Sequence, residues 1–354
     1  MQIETIPIRT EPAYEAAIGP GLLRECGARL TAVIPRCRIA VVTDSTVGPL
    51  YLETVTVSLR KAGYPVCAYT FPAGEEHKNL TTLSAILEFL AAERLTRTDC
   101  LIALGGGVAG DMAGFAAAVY LRGIRFVQLP TTLLAMVDSS VGGKTAVDLE
   151  AGKNLAGAFL QPAAVLCDTD CLGTLPPNVF ADGAAEAVKT GVLCGEELFA
   201  ALERGMLREN PAKIISRCIA YKAGVVERDE REQGERKLLN LGHTVGHAIE
   251  KCSGYAVSHG HAVAAGMAIM ARSAQRLGWM EEPLADRLGA VLRSLTLHPG
   301  ISYSAERLAE AALADKKRAG DHITLVVPKR MGECELKTVP VKDLLSIIRA
   351  GWEE

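Results

Sequence analysis

The chain has 354 residues, 49% of them hydrophobic and 22% charged, with 34 glycines against 16 prolines. That is enough for about two domains of roughly 100–200 residues each, and the composition excludes a disordered, collagenous or small disulfide-stapled protein. A formal net charge of −3 offers no global field for nucleic acid or an anionic membrane surface, so neither partner is expected. The longest strongly apolar run, 112–121, lies between Asp111 and Arg122 and reaches about half of the ~20 residues a membrane helix needs. The start, Met1-Gln-Ile-Glu-Thr, lacks a basic segment followed by an apolar one, so export is not expected. Ten cysteines are scattered without a C-x-x-C spacing, which fits reduced thiols and a cytoplasmic setting.

In chain order, β-branched runs at 38–43, 66–70, 100–104, 125–129 and 164–167 read as strands, and 81–94 and 111–120 read as helices. Such alternation predicts a parallel sheet covered on both faces. After Pro176-Pro177 the pattern changes to apolar residues at helical spacing over 180–204, 211–228, 238–252, 260–277 and 281–295, with one late strand-like run at 323–327. The expected fold class is therefore α/β: a Rossmann-like parallel-sheet domain over 1–176, then a mostly α-helical domain over 177–354. Small-molecule sites favour such junctions.

Strand 100–104 runs into Gly105-Gly-Gly-Val-Ala-Gly110-Asp111 and then a helical pattern, the order strand, G-x-G-x-x-G, helix. Glycines there permit a tight turn and close approach of a pyrophosphate, which free N–H groups at the helix start attract; a tight turn without a ligand would read similarly. An ordinary dinucleotide site also has an acidic residue about 20 positions on, but here that region reads Leu129-Pro130-Thr131-Thr132. Asp44, at the carboxyl end of the first strand, is the acid placed for the ribose instead.

Four of the seven histidines, His243, His247, His259 and His261, fall within 19 residues. His243 and His247 stand at i and i+4 on one helical face, as metal-binding pairs do, without the glutamate of an H-E-x-x-H protease. Zinc with an open position needs a third protein donor. Glu186, a carboxylate on an otherwise small apolar helix face, is costly there without a partner. His259 and His261 lie about 200° apart around a helix, so one ion does not readily take both, and spacing leaves the choice open. Gly142-Gly-Lys144-Thr and Gly152-Lys153-Asn154 read as phosphate-contacting loops, although neither is a full P-loop. Further cations stand at Lys78, Arg122, Lys189, Lys222, Arg236, Lys316 and Lys317.

Taken together, Leu104-Gly-Gly-Gly-Val-Ala-Gly-Asp-Met-Ala-Gly, Leu129-Pro-Thr-Thr, Asp138-Ser-Ser-Val-Gly-Gly-Lys144-Thr, Gly152-Lys-Asn154, Glu186-Ala-Val-Lys189 and Leu239-Asn-Leu-Gly-His-Thr-Val-Gly-His resemble the 3-dehydroquinate synthase family, nearly end to end. The resemblance implies a homodimer in the shikimate pathway that converts 3-deoxy-D-arabino-heptulosonate 7-phosphate into 3-dehydroquinate and phosphate, using NAD and a divalent metal, Zn2+ or Co2+. The implied sequence is transient oxidation at C5, phosphate β-elimination, re-reduction, ring opening and aldol closure. It implies metal ligands Glu186, His243 and His259. For NAD it implies Asp44, Glu75, Lys78, Gly106, Gly107, Val108, Gly110, Asp111, Thr131, Thr132, Lys144, Lys153 and Thr174. Around the sugar phosphate it implies Arg122, Asp138, Lys144, Lys153, Asn154, Lys189, Lys222, Arg236, Asn240, His247 and one of Lys316 and Lys317. Two positions depart from the family's usual pattern: His261 stands where Glu commonly follows His-Gly, and Thr46 where Asn often follows the ribose aspartate. Sibling cyclases acting on sedoheptulose 7-phosphate or an amino analogue, and metal-dependent polyol dehydrogenases, are the competing readings. The cation set argues against a neutral polyol.

Overall fold

Strands buried on both faces carry unbroken apolar runs, and Ile39 to Val42 and Cys100 to Leu104 are all buried. A computed structural model describes residues 3–298, 302–313 and 318–352. The chain divides into two compact units, one of Met1–Leu175 with Lys222–Glu227, the other of Pro176–Tyr221 with Arg228–Glu354.

The first unit contains β1 (Glu4–Ile8), β2 (Tyr14–Gly19), β3 (Ile39–Asp44), β4 (Val66–Phe71), β5 (Cys100–Gly105), β6 (Arg125–Pro130), β7 (Lys144–Leu149), β8 (Gly152–Phe159) and β9 (Ala164–Asp168). Seven of these form one sheet in the order β1-β2-β9-β6-β5-β3-β4. β1 pairs antiparallel with β2, and the other neighbours run parallel, giving the expected Rossmann-like sheet. From β3 the chain passes outward to β4 and then to β5 on the other side of β3. The carboxyl ends of β3 and β5 therefore form a topological switch point, where open α/β sheets bind ligands.

Several expectations are corrected. The helix expected from 111 begins at Gly107 and runs to Val119, so Gly107 and Gly110 belong to the helix rather than to a turn before it. Glycine is a poor helix former, but a Cβ on Gly110 would lie 2.7 Å from Gln128 Oε1, and one on Gly114 would lie 2.4 Å from Thr145 Cγ2. Those glycines let the helix lie close on its neighbours. The two expected phosphate loops are instead largely the strands of an antiparallel hairpin, β7 and β8. The β1–β2 hairpin and the helices Leu22–Leu30 and Gly48–Lys61 had no place in the sequence reading.

In the second unit the run 180–204 is two helices, Pro177–Cys194 and Glu196–Glu203, separated by Gly195 at φ +117°. The run 238–252 is a 3-10 turn, Glu235–Asn240, and a helix, His243–Cys252, with Gly242 at φ +80° between them. The single late strand is one of three, β10 (Arg318–Ala319), β11 (His322–Arg330) and β12 (Glu333–Pro340), in an antiparallel sheet. The helical core packs His243–Cys252 and His259–Arg276 against Ala305–Leu313, Leu344–Gly351 and β11.

Small residues set the spacing of the two histidine-bearing helices. A Cβ on Gly266 would lie 2.1 Å from Gly242 O and 2.8 Å from Gly246 N, backbone atoms that cannot swing aside. Gly266→Ala is expected to destabilise the protein by about 3 kcal/mol through overpacking. Gly173→Ala, at an open position with ordinary backbone angles, should stay within about 0.5 kcal/mol of the parent. Denaturant midpoints of the two variants measure this, and equal midpoints would contradict it.

Candidate active site

Three helices of the second unit bring one carboxylate and two imidazoles together. Glu186, with no exposed surface, comes from Pro177–Cys194; His243 opens His243–Cys252, and His259 opens His259–Arg276. Glu186 Oε1 lies 3.8 Å from His243 Nε2 and 3.3 Å from His259 Nε2. One ligand atom from each residue lies within 4.8 Å of the other two. Around a tetrahedral zinc with N and O donors at about 2.0–2.1 Å, donors stand about 3.4 Å apart, so the spacing fits such an ion.

The atoms facing away from this point are occupied, and their partners set the ligands' orientation. His243 Nδ1 faces Leu241 O at 3.2 Å, which leaves Nε2 turned toward Glu186. His259 Nδ1 faces Glu250 Oε2 at 3.4 Å. The Lys189 ammonium, one helical turn from Glu186, pairs with Glu186 Oε2. Burial alone would lower the His259 pKa, but hydrogen bonds to Glu186 and Glu250 carry it up to about 10.

His247 and His261 part company here. The His247 ring lies 5.4 Å from that of His243 and 6.1 Å from that of His259, and His247, Glu250 and His259 form a second group of clustered donors. His261 instead places Nδ1 2.8 Å from Asp182 Oδ1, a hydrogen bond that raises its pKa against burial. Tertiary geometry thus places His259 beside Glu186 and His261 beside Asp182.

In the first unit, most of the residues expected to hold a dinucleotide stand at or just after the carboxyl ends of parallel strands: Asp44 on β3, Glu75 and Lys78 after β4, Gly106 to Asp111 after β5, Thr131 and Thr132 after β6, Thr174 after β9; Lys144 and Lys153 lie instead on the antiparallel β7–β8 hairpin. Asp44 Oδ1 accepts from Thr46 N and Val47 N, while Oδ2 lies 3.3 Å from where a Gly105 Cβ would be. Thr131 Oγ1 is buried with no hydrogen-bond partner among the described residues, an orphan that a bound ligand would satisfy. Thr174 Oγ1 lies 2.5 Å from Tyr51 OH.

Lys78, only 5% exposed, gathers several of these residues. Its ammonium lies 2.6 Å from Asp111 Oδ2 and donates to Asn154 Oδ1 at 2.6 Å; Glu75 lies 3.9 Å from it and 3.8 Å from Lys153. Burial works against the Lys78 charge, but Asp111 and Glu75 more than offset it and raise its pKa. Burial also raises Asp111, against the pull of Lys78. Lys222 donates to Asp138 Oδ1 at 2.6 Å and to Asp138 O at 2.7 Å.

Arg236, 1% exposed, is anchored in the second unit through Asp229 and the Glu230 carbonyl, and Asn240 Nδ2 donates to Glu232 Oε1 at 2.7 Å. Arg122 and Lys144 are exposed, Arg122 at a positive φ of 69°. Lys316 and Lys317 lie outside the described residues. Sequence reasoning missed Glu250, Asp182 and Asp148, which accepts from Asn154 N at 2.7 Å. Glu250 has a legible signal, since it follows His243 by seven positions and His247 by three and so shares their helical face.

A family model described as 3-dehydroquinate synthase N-terminal matches residues 68–182, and its C-terminal counterpart matches 183–318. The chain belongs to the 3-dehydroquinate synthase family. Its similar relatives include the 3-dehydroquinate synthases of Clostridium acetobutylicum, 40% identical over 95% of this chain and 96% of the relative, and of Geobacter metallireducens, 45% identical over 95% of each. Among solved structures, 2-deoxy-scyllo-inosose synthase complexed with carbaglucose-6-phosphate, NAD+ and Co2+ matches at a TM-score of 0.87 and 27% identity, over 98% of this chain and 99% of that one. The 2-epi-5-epi-valiolone synthase of Streptomyces hygroscopicus, with NAD+ and Zn2+ bound, matches at 0.86 and 25% over 96% of each. A probable glycerol dehydrogenase from Sinorhizobium meliloti, at 16% identity and a TM-score of 0.63 over 94% of each, shares the fold alone. Among the described residues no helix is long and apolar enough to cross a membrane.

Glu250 Oε2, 3.4 Å from His259 Nδ1, is placed to orient that imidazole should it ligate a metal, and loss of such a partner typically weakens metal binding about 10–100-fold. Glu250→Gln should weaken zinc binding within that range while leaving one zinc per chain at saturation. Competition against a chromophoric chelator measures it, and parent-like affinity would refute the role.

Proposed function

We propose that the chain converts 3-deoxy-D-arabino-heptulosonate 7-phosphate into 3-dehydroquinate and phosphate, as an NAD- and metal-dependent phosphorus–oxygen lyase of aromatic amino-acid biosynthesis. In this reading residues 1–176 hold NAD, and residues 177–354 hold the metal and most of the substrate contacts. The observation that carries it is the convergence of Glu186 Oε1, His243 Nε2 and His259 Nε2 at the spacing of a three-donor zinc or cobalt site. When bound, the cation supplies Lewis acidity toward substrate oxygens, and NAD supplies a hydride acceptor that is restored within each turnover.

The chain's own residues have complementary tasks. Lys189 neutralises the outer oxygen of Glu186 and leaves the inner one to the ion. Glu250 and the Leu241 carbonyl hold the imidazoles in the ligating orientation. His247 is the side chain best suited to carry a proton beside them. Arg122, Lys144, Lys153, Lys222 and Arg236, with Asp138, Asn154 and Asn240, preorganise charge and hydrogen bonds for a phosphorylated acid, which no neutral polyol requires. Asp44, Glu75, Lys78, the Gly106 to Asp111 segment, Thr131, Thr132 and Thr174 hold NAD, and the orphan Thr131 hydroxyl supports that assignment. All ten cysteines are free thiols, which supports a cytoplasmic setting; the family resemblance adds a homodimer.

Phosphate release from the heptulosonate phosphate should require both NAD and metal, cease with chelator, and leave no net absorbance at 340 nm. Net NADH from a polyol, without phosphate release, would instead establish a dehydrogenase. His243→Ala should lose stoichiometric zinc and turnover together, while His261→Ala should keep both; the reverse would show a different third ligand.

A further inference from the structure

Ser258 stands at the N-cap position of His259–Arg276, yet its hydroxyl makes no capping bond within that helix. It donates to Asp182 Oδ1 at 2.6 Å instead. The same oxygen accepts from His261 N at 3.1 Å and lies 2.8 Å from His261 Nδ1. His261 N is the third amide of the helix, one of the two donors that an N-cap side chain ordinarily satisfies. A carboxylate from a different helix thus caps this one, and its charge sits at the positive end of the helix dipole.

We propose that Asp182 is a positioning residue for the metal site, a cap in trans that sets the distance between two ligands carried on separate helices. Asp182 precedes Glu186 by one helical turn, so both side chains lie on one face of Pro177–Cys194. The helix it caps begins with His259. Fixing that end against Asp182 holds His259 Nε2 within 3.3 Å of Glu186 Oε1.

Backbone geometry shows how close the contact is. A Cβ on Gly260 would lie 2.3 Å from both Asp182 Cα and Asp182 O, so the two helices touch main chain to main chain between the cap and the ligands. Position 261 is matched to this arrangement. An imidazole can donate to Asp182, whereas a carboxylate there would meet it with like charge.

The inference rests on the reading of Glu186, His243 and His259 as a metal site, and the test separates the two. In the full-length protein, Asp182→Ala should bind zinc about tenfold more weakly by chelator competition, the lower end of the range for groups that orient ligands, and should alter the visible absorption of the Co2+-loaded protein. Asp182→Asn, which keeps an acceptor of the same shape, should recover most of both. Zinc affinity within twofold of the parent and an unchanged cobalt spectrum in Asp182→Ala would overturn the proposal. If Asp182→Ala does not fold, Asp182→Ser, whose shorter side chain draws the acceptor away from the His261 amide, should show a smaller loss of the same sign, and parent-like affinity with an unchanged cobalt spectrum there overturns it equally. Glu186→Gln tests the site beneath: undiminished zinc binding in that variant would refute the metal site itself.

Discussion

A carboxylate with no exposed surface, Glu186, is the constraint on which the second unit turns. An isolated buried charge is too costly to persist, so the surrounding chain must supply compensation. Lys189 supplies it on one oxygen and the imidazoles of His243 and His259 on the other. Those partners arrive on three helices, and the helices approach closely only because glycines stand at the contacts: Gly260 against Asp182, Gly266 against Gly242, Gly246 against Val263. Core packing and donor geometry are therefore one problem, since the residues that let the helices touch also set the ligand spacing.

The first unit solves a different problem with parallel strands. All carboxyl ends of a parallel sheet lie on one edge, so loops far apart in sequence deliver their side chains to the same edge. Asp44, Lys78, the Gly106 to Asp111 segment, Thr131 and Thr174 reach it from five strands. The buried lysines there and at Lys222 do not stand as a bare cationic patch. Each is matched by a carboxylate, Asp111 for Lys78 and Asp138 for Lys222, as burial of charge requires.

Much of this was legible before the structure. The strand runs of β3, β5, β6 and β9 were plain because strands covered on both faces must be continuously apolar. The histidine cluster and the anomalous Glu186 stood out because ionisable groups on apolar helix faces are rare without a purpose. Less legible was the start of a helix rich in glycine: Gly107, Gly110 and Gly114 carry low helix propensity, and only the close approach of Ser139 to the first, of Gln128 on β6 to the second and of Thr145 on β7 to the third shows why glycine stands there. Lys144, Lys153 and Asn154 looked like loop residues for the same reason, because glycine next to a cation reads the same in a hairpin as in a phosphate loop.

The amino-acid sequence by itself determined the α/β class, the glycine-rich segment after β5, and the family, because these depend on local periodicity and on residue types at fixed spacing. Spacing left His259 and His261 open, and it took the tertiary structure to place His259 beside Glu186; only that structure decided that Glu250 backs His259 and that Asp182 caps the helix carrying it. Neighbours two positions apart on a helix point to different sides, and which side meets a carboxylate nearly 80 residues away depends on how the helices pack. Periodicity along the chain does not contain that.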